Sequence, residues 1–114
     1  MIIDTLAFGS IVIDGIRYTS DLIVYPDGRV VTFWRRKKGH RLSSDDISDL
    51  IASQPEVIIA GTGVYGLVKS EKDLQKMLQK NGIEFFPARN KKAMELFNEL
   101  SSKKRIGACF HLTC

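Results

Sequence analysis

The chain has 114 residues, 44% hydrophobic and 26% charged, a composition that can build one core without disulfide or metal staples. Seventeen Lys and Arg against thirteen Asp and Glu leave a charge of +4, which permits anion binding without demanding it. No apolar run reaches the roughly 18 residues of a membrane span, and the opening Met1-Ile2-Ile3-Asp4 carries no secretion signal. Cys109 and Cys114 have neither a metal-ligand nor a disulfide-framework spacing. The expectation is one domain over residues 1–114 in a reducing, cytoplasmic setting, with no membrane contact.

The first third reads as antiparallel strands. Ile11, Ile13 and Ile16, Tyr18 flank Asp14-Gly15, a turn pair that tolerates positive φ at both positions. Leu22–Tyr25 and Val30–Trp34 flank Pro26-Asp27-Gly28, where Pro26 presets φ and Gly28 takes the left-handed position. A basic run follows, Arg35-Arg36-Lys37-Lys38 and then Gly39-His40-Arg41, expected as an exposed, mobile loop. Ser43 or Ser44 caps a short helix whose Ile47, Leu50 and Ile51 share one face, and Pro55 marks its end.

Val57–Ala60 is apolar throughout, as a strand covered on both faces must be. It feeds Gly61-Thr62-Gly63-Val64-Tyr65-Gly66. Ser70 with Asp73 resembles a capping pair and starts a helix near Glu71, with Leu74, Met77 and Leu78 as its buried stripe and Asn81-Gly82 as its stop. Ile83–Phe86 is the next strand, closed by Pro87. Asn90 caps a helix whose Ala93, Met94, Leu96, Phe97 and Leu100 form a wide apolar face. The final strand, about Ile106 to Leu112, sets Ile106, Ala108, Phe110 and Leu112 against Gly107, Cys109 and His111. Strand and helix alternate in this second half, which implies right-handed crossovers and parallel strands. The predicted fold is a three-layer α/β domain: a mixed central sheet with a parallel β-α-β second half, and an N-terminal antiparallel hairpin layer. The antiparallel strands must either join that sheet or fold over it.

The residues resemble the Mth-type domain of unknown function, a family whose relatives include an adipogenesis-associated protein and a mitochondrial respiratory complex I assembly factor. The resemblance rests on Ile13–Tyr18, Tyr25-Pro26-Asp27-Gly28 and Trp34, then on Ala60-Gly61-Thr62-Gly63, Gly82-Ile83-Glu84, Ala93 and Leu96–Leu100. It implies the same three-layer fold and no agreed catalytic residue. The chain departs from the family pattern at Phe86-Pro87-Ala88-Arg89 and at Lys103-Lys104-Arg105, segments on which a family partner surface would not carry over.

Gly61, Gly63 and Gly66 spell a dinucleotide fingerprint after a strand, in which backbone amides would cradle a pyrophosphate at a helix N-terminus. The capping pair starts the helix too late for that geometry, and Phe86–Arg89 stands where an acidic ribose partner would be. The basic run beside Trp34 could read phosphates, but nothing else resembles an RNA-binding module, so nucleic acid is disfavoured. Cys109 and His111 share a strand face without a third orienting group, which favours packing over thiol catalysis. Asp4, Asp21, Glu56, Glu84, Glu95 and Glu99 are scattered singly, and two histidines and two cysteines so placed assemble no metal site.

The leading expectation is therefore a non-enzymatic protein-binding or assembly module with a protein partner, no cofactor and no catalytic set. The alternative is a small-anion or nucleotide-binding protein or enzyme using the turn at 61–66. Its pocket would be built from Gly61, Thr62, Gly63, Arg89 and Asn90, where two parallel strand ends share a crevice. Arg35, Arg36, Lys37, Lys38 and Arg41 form the candidate basic surface.

Overall fold

The strands at the middle of the molecule, Val57–Gly61 and Ile106–Phe110, are buried at every position. A computed structural model describes residues 1–114. In chain order the elements are β1 (Ile3–Ala7), β2 (Ser10–Ile13), β3 (Ile16–Tyr18), β4 (Leu22–Val24), β5 (Val30–Val31) and β6 (Arg41–Leu42). A 3₁₀ turn (Ser44–Ile47) then leads into α1 (Ser48–Ala52). β7 (Val57–Gly61), β8 (Lys69–Ser70), α2 (Lys72–Lys80), β9 (Glu84–Ala88), α3 (Asn90–Leu100) and β10 (Ile106–Phe110) complete the chain.

Five strands form the central sheet in the order β5-β4-β10-β7-β9. β7 runs parallel to both β10 and β9, while β4 runs antiparallel to β10 and to β5. The antiparallel part thus divides. β1, β2 and β3 make a separate sheet folded over the first, whereas β4 and β5 join the central one. The sheet's two faces are sorted by alternation. Val57 and Ile59 with Ile106, Ala108 and Phe110 face α3 and the hairpin sheet, meeting Ala93, Phe97, Ile11 and Ile13. Ile58, Ala60 and Cys109 face α1 and α2, meeting Leu50, Leu74 and Leu78. Ile58 and Ile59 are fully buried, and each such side chain contributes roughly 1.5–3 kcal/mol relative to exposure. The predicted three-layer α/β architecture is the one observed.

Several local expectations change. β1 is a strand that the turn signals did not mark, paired to β2 through the turn at Phe8-Gly9. The strand expected over Val30–Trp34 stops at Val31, because Phe33 takes a φ of 55° and left-handed backbone cannot continue a strand. α2 begins at Lys72, not at a Ser70 cap; Ser70 lies in β8, and its hydroxyl accepts a hydrogen bond from Gln75. Met77 is 41% exposed and leaves the buried stripe to Leu74 and Leu78. Pro87 does not close its strand but lies within β9. Glu84 N–H donates to Glu56 and Ala88 C=O accepts from Thr62, so the even positions face β7. The ring nitrogen of Pro87 therefore points off the sheet's edge, where no ladder donor is missed.

β6 and β8 form a two-stranded parallel sheet outside the main one, pairing Arg41 with Lys69 and Leu42 with Ser70. No helix of the structure is long and apolar enough to cross a membrane.

Candidate functional site

The carboxyl ends of β7, β9 and β10 converge, and three chain segments meet there: Thr62–Gly66, Arg89-Asn90 and His111–Cys114. Gly61 and Gly63 allow the approach. A Cβ on Gly61 would stand 2.6 Å from Asn90 Oδ1 and press on the Phe110 ring, and one on Gly63, whose φ is +107°, would strike the Cys114 carbonyl. These glycines fit the close-packing role that their spacing allows.

Asn90 does not act as a side-chain cap for α3. It is 1% exposed; its Oδ1 accepts the Gly63 amide at 3.1 Å and its Nδ2 donates to the His111 carbonyl at 2.7 Å. Thr62 donates its hydroxyl to Ala88 C=O at 3.0 Å. Most of the turn's amides are also committed, all but that of Tyr65: Thr62 to Ala88, Val64 to Thr113, Gly66 to Gly63, Leu67 to Cys114 and Val68 to Thr62. Gly61, Thr62, Gly63 and Asn90 are thus brought together as expected, but as a knot rather than an open crevice with free amides. Arg89 lies outside it, exposed, its aliphatic stem over Gly66.

Beside this knot is a charged cluster that sequence spacing does not mark. Asp21, read as an isolated carboxylate, accepts through Oδ2 from both terminal nitrogens of Arg36 at 3.1 Å and lies 2.8 Å from His111 Nδ1. Its Oδ1 accepts the Leu112 amide at 2.8 Å. The Arg36 nitrogen 3.0 Å from Nδ1 can only donate and the Asp21 carboxylate can only accept, so Nδ1 faces one group of each kind. Nε2 lies 3.2 Å from the Thr113 hydroxyl. Burial pushes the Asp21 carboxyl up, yet the hydrogen bonds from His111, Leu112 N–H and Arg36 outweigh it, so the group ends below its ordinary value. Hydroxyl, imidazole and carboxylate stand in the order of a nucleophile relay.

Arg36 corrects the expectation of a wholly exposed basic loop. Its side chain is 5% exposed, ion-paired to Asp21, stacked 4.8 Å from the centroid of Trp34, and bonded through Nε to Gly39 C=O. Lys37 pairs with Asp45 at 3.3 Å on the surface. Arg35, Lys38 and Arg41 are exposed and have no carboxylate partner. Cys109 lies inside the core, where burial pushes its thiol up to about 12, so it offers no thiolate at neutral pH.

Phe8, at the turn between β1 and β2, is 59% exposed, and Tyr65, in the glycine turn, is 62% exposed. Their ring centroids lie 6.5 Å apart, and Leu67 is also exposed. Periodicity could not find this pair, since neither ring belongs to a regular element.

A mixed five-stranded sheet between a helical layer and a layer of one helix and a hairpin sheet defines a small three-layer α/β class. Within that class the chain belongs to the family described as protein of unknown function (DUF498/DUF598), whose model matches residues 3–111. The crystal structure of conserved hypothetical protein PH1505 from Pyrococcus horikoshii OT3 is similar over 100% of both chains, with 30% identity and a TM-score of 0.88. A protein designated MT938 is 26% identical, covering 99% of this chain and 98% of its own, with a TM-score of 0.83. The solution structure of a Mth938-like domain from Bordetella pertussis shares the fold at 14% identity and a TM-score of 0.68, with 97% of this chain and 85% of that one covered. The Mth-type resemblance is therefore correct. Among curated proteins none matches the chain.

Proposed function

We propose that this domain is a protein-binding or assembly module rather than a catalyst. One observation carries the reading: the groups suited to chemistry are turned inward and used, while apolar surface is turned outward. Asp21, Arg36, His111 and Asn90 hold the chain to itself, whereas Phe8 and Tyr65 stack loosely on each other in solvent. Exposed aromatic rings on a rigid scaffold are the usual anchors of protein interfaces. The alternative of an anion or nucleotide at the glycine turn has less behind it, because the Thr62 hydroxyl and most of the turn's own amides are committed within the chain.

The test is capture from cells that express the protein, with bound proteins identified by mass spectrometry, for the native chain and for a Phe8→Ser, Tyr65→Ser double variant. A defined partner lost from the variant supports the module. A tightly co-purifying small molecule, or capture indifferent to both substitutions, overturns it.

A further inference from the structure

The small sheet of β6 and β8 sets like charges against each other. Arg41 is the cross-strand partner of Lys69, and Arg41 is also bridged to Lys38 across the turn at Gly39-His40. Cross-strand partners point to the same side of a sheet, about 5 Å apart. Leu42, the next residue along, is buried, which puts Lys38, Arg41 and Lys69 in one row on the solvent side. All three are exposed and none has a carboxylate partner. Asp45, Asp46 and Glu71 line the same hollow as Lys38 and Arg41, but none forms an ion pair with the row: Asp45 is paired to Lys37, and Asp46 accepts from Ser43 and from the Lys37 amide.

Like charges directly opposite each other destabilise a strand pair. Guarding a sheet edge against aggregation would be served equally well by charges of mixed sign. A row of one sign instead suits a ligand of the other. The same chain segment continues the surface, since Tyr65, Leu67 and Lys69 are exposed while Val68 is buried between them. Gly66, at a φ of +70°, turns the chain between them, and the four residues from Tyr65 to Lys69 can span at most roughly 14 Å, which keeps the aromatic pair close to the cation row.

We propose that Phe8, Tyr65 and Leu67 together with the Lys38–Arg41–Lys69 row form one docking surface, and that its occupant is an extended acidic segment of a partner protein with apolar side chains at one end. This rests on the module reading and supplies its partner chemistry. A single-stranded nucleic acid would want aromatic platforms interleaved with the cations. Here the two rings stand together at one end, and the imidazole of His40 lies edge-on to His111.

The test uses the full chain and a fluorescein-labelled peptide of Trp-Leu-Gly followed by four Glu, with binding read by anisotropy and a labelled oligo-dT of similar length as the second arm. The expected result is saturable peptide binding that weakens roughly tenfold or more in Arg41→Glu, Lys69→Glu and falls with added salt. In the free protein, Arg41→Gln with Lys69→Gln should raise Tm, because a repulsion is removed. No peptide binding, salt-insensitive binding, tighter binding of the oligonucleotide, or a lowered Tm in the neutralised variant overturns the proposal. The capture experiment separates the two failures. A partner held by the neutralised variant but lost from Phe8→Ser, Tyr65→Ser leaves the module reading standing and removes the acidic segment. A partner held by every variant removes the module reading itself.

Discussion

The Asp21 carboxylate lies 2.8 Å from the His111 imidazole, although 90 positions separate the two residues in the chain. The contact ties the segment entering β4 to the segment leaving β10. Arg36 from the basic loop closes it with two bonds to the same carboxylate oxygen. Each buried group is satisfied by the others, so removing one leaves a charge stranded. Asp21→Asn should therefore destabilise the domain by about 2–4 kcal/mol, since an unpaired buried guanidinium is costly. Arg35→Ala or Lys38→Ala, at exposed positions with no carboxylate partner, should stay within about 0.5 kcal/mol. Urea denaturation of the three variants measures the contrast; equal effects would show that Arg36 is no more anchored than its neighbours.

Acid should act through the same carboxylate. Asp21 titrates below its ordinary value of 3.8 when folded, because hydrogen bonds from His111, Leu112 and Arg36 together exceed the effect of burial. A depressed folded value means that the unfolded chain takes up the proton first. The stabilisation is thus complete above the unfolded value and is lost as pH falls through the folded one. Denaturant midpoints should decline between about pH 5 and pH 2, with a shallower decline in Asp21→Asn. Parallel declines would remove Asp21 as a contributor.

The two thiols should behave differently. Cys109 is buried, with its thiol pushed up to about 12, whereas Cys114 is half-buried at the surface. Only a thiolate reacts readily. Titration with a thiol reagent should modify Cys114 in the native protein and Cys109 only after denaturation. Rapid native modification of Cys109 would mean that the core around β10 opens locally.

Gly61→Ala tests whether the glycine turn serves packing. A methyl there would stand 2.6 Å from Asn90 Oδ1 and against the Phe110 ring. Overpacking of this kind costs about 1–3 kcal/mol. The Gly63–Asn90–His111 bridge should also loosen, visible as faster amide exchange at Gly63 and His111. Unchanged stability would indicate an open turn with space for a ligand.

What the sequence determined by itself is what depends on near neighbours. The run Val57–Ala60 required a strand covered on both faces. The alternation from Ile106 to Leu112 set Ile106, Ala108, Phe110 and Leu112 on the opposite side from Cys109, and the two sets do lie in different cores. Periodicity works there because a strand repeats its contact with water or core every two residues. It carries no information about which chain ends meet. Arg35 and Arg36 are identical in type and adjacent, and only the arrival of Asp21 and His111 buries one and leaves the other in solvent. Asn90 reads as a cap, but α3 already begins at it, and its side chain goes to Gly63 and the His111 carbonyl once β7 and β10 end beside it. Lys69 reads as one more solvated lysine until the fold lays it beside Arg41. Such contacts were decided by the tertiary structure alone, because they follow from how the loops at the carboxyl ends of the sheet are brought together, and no local spacing encodes that distance.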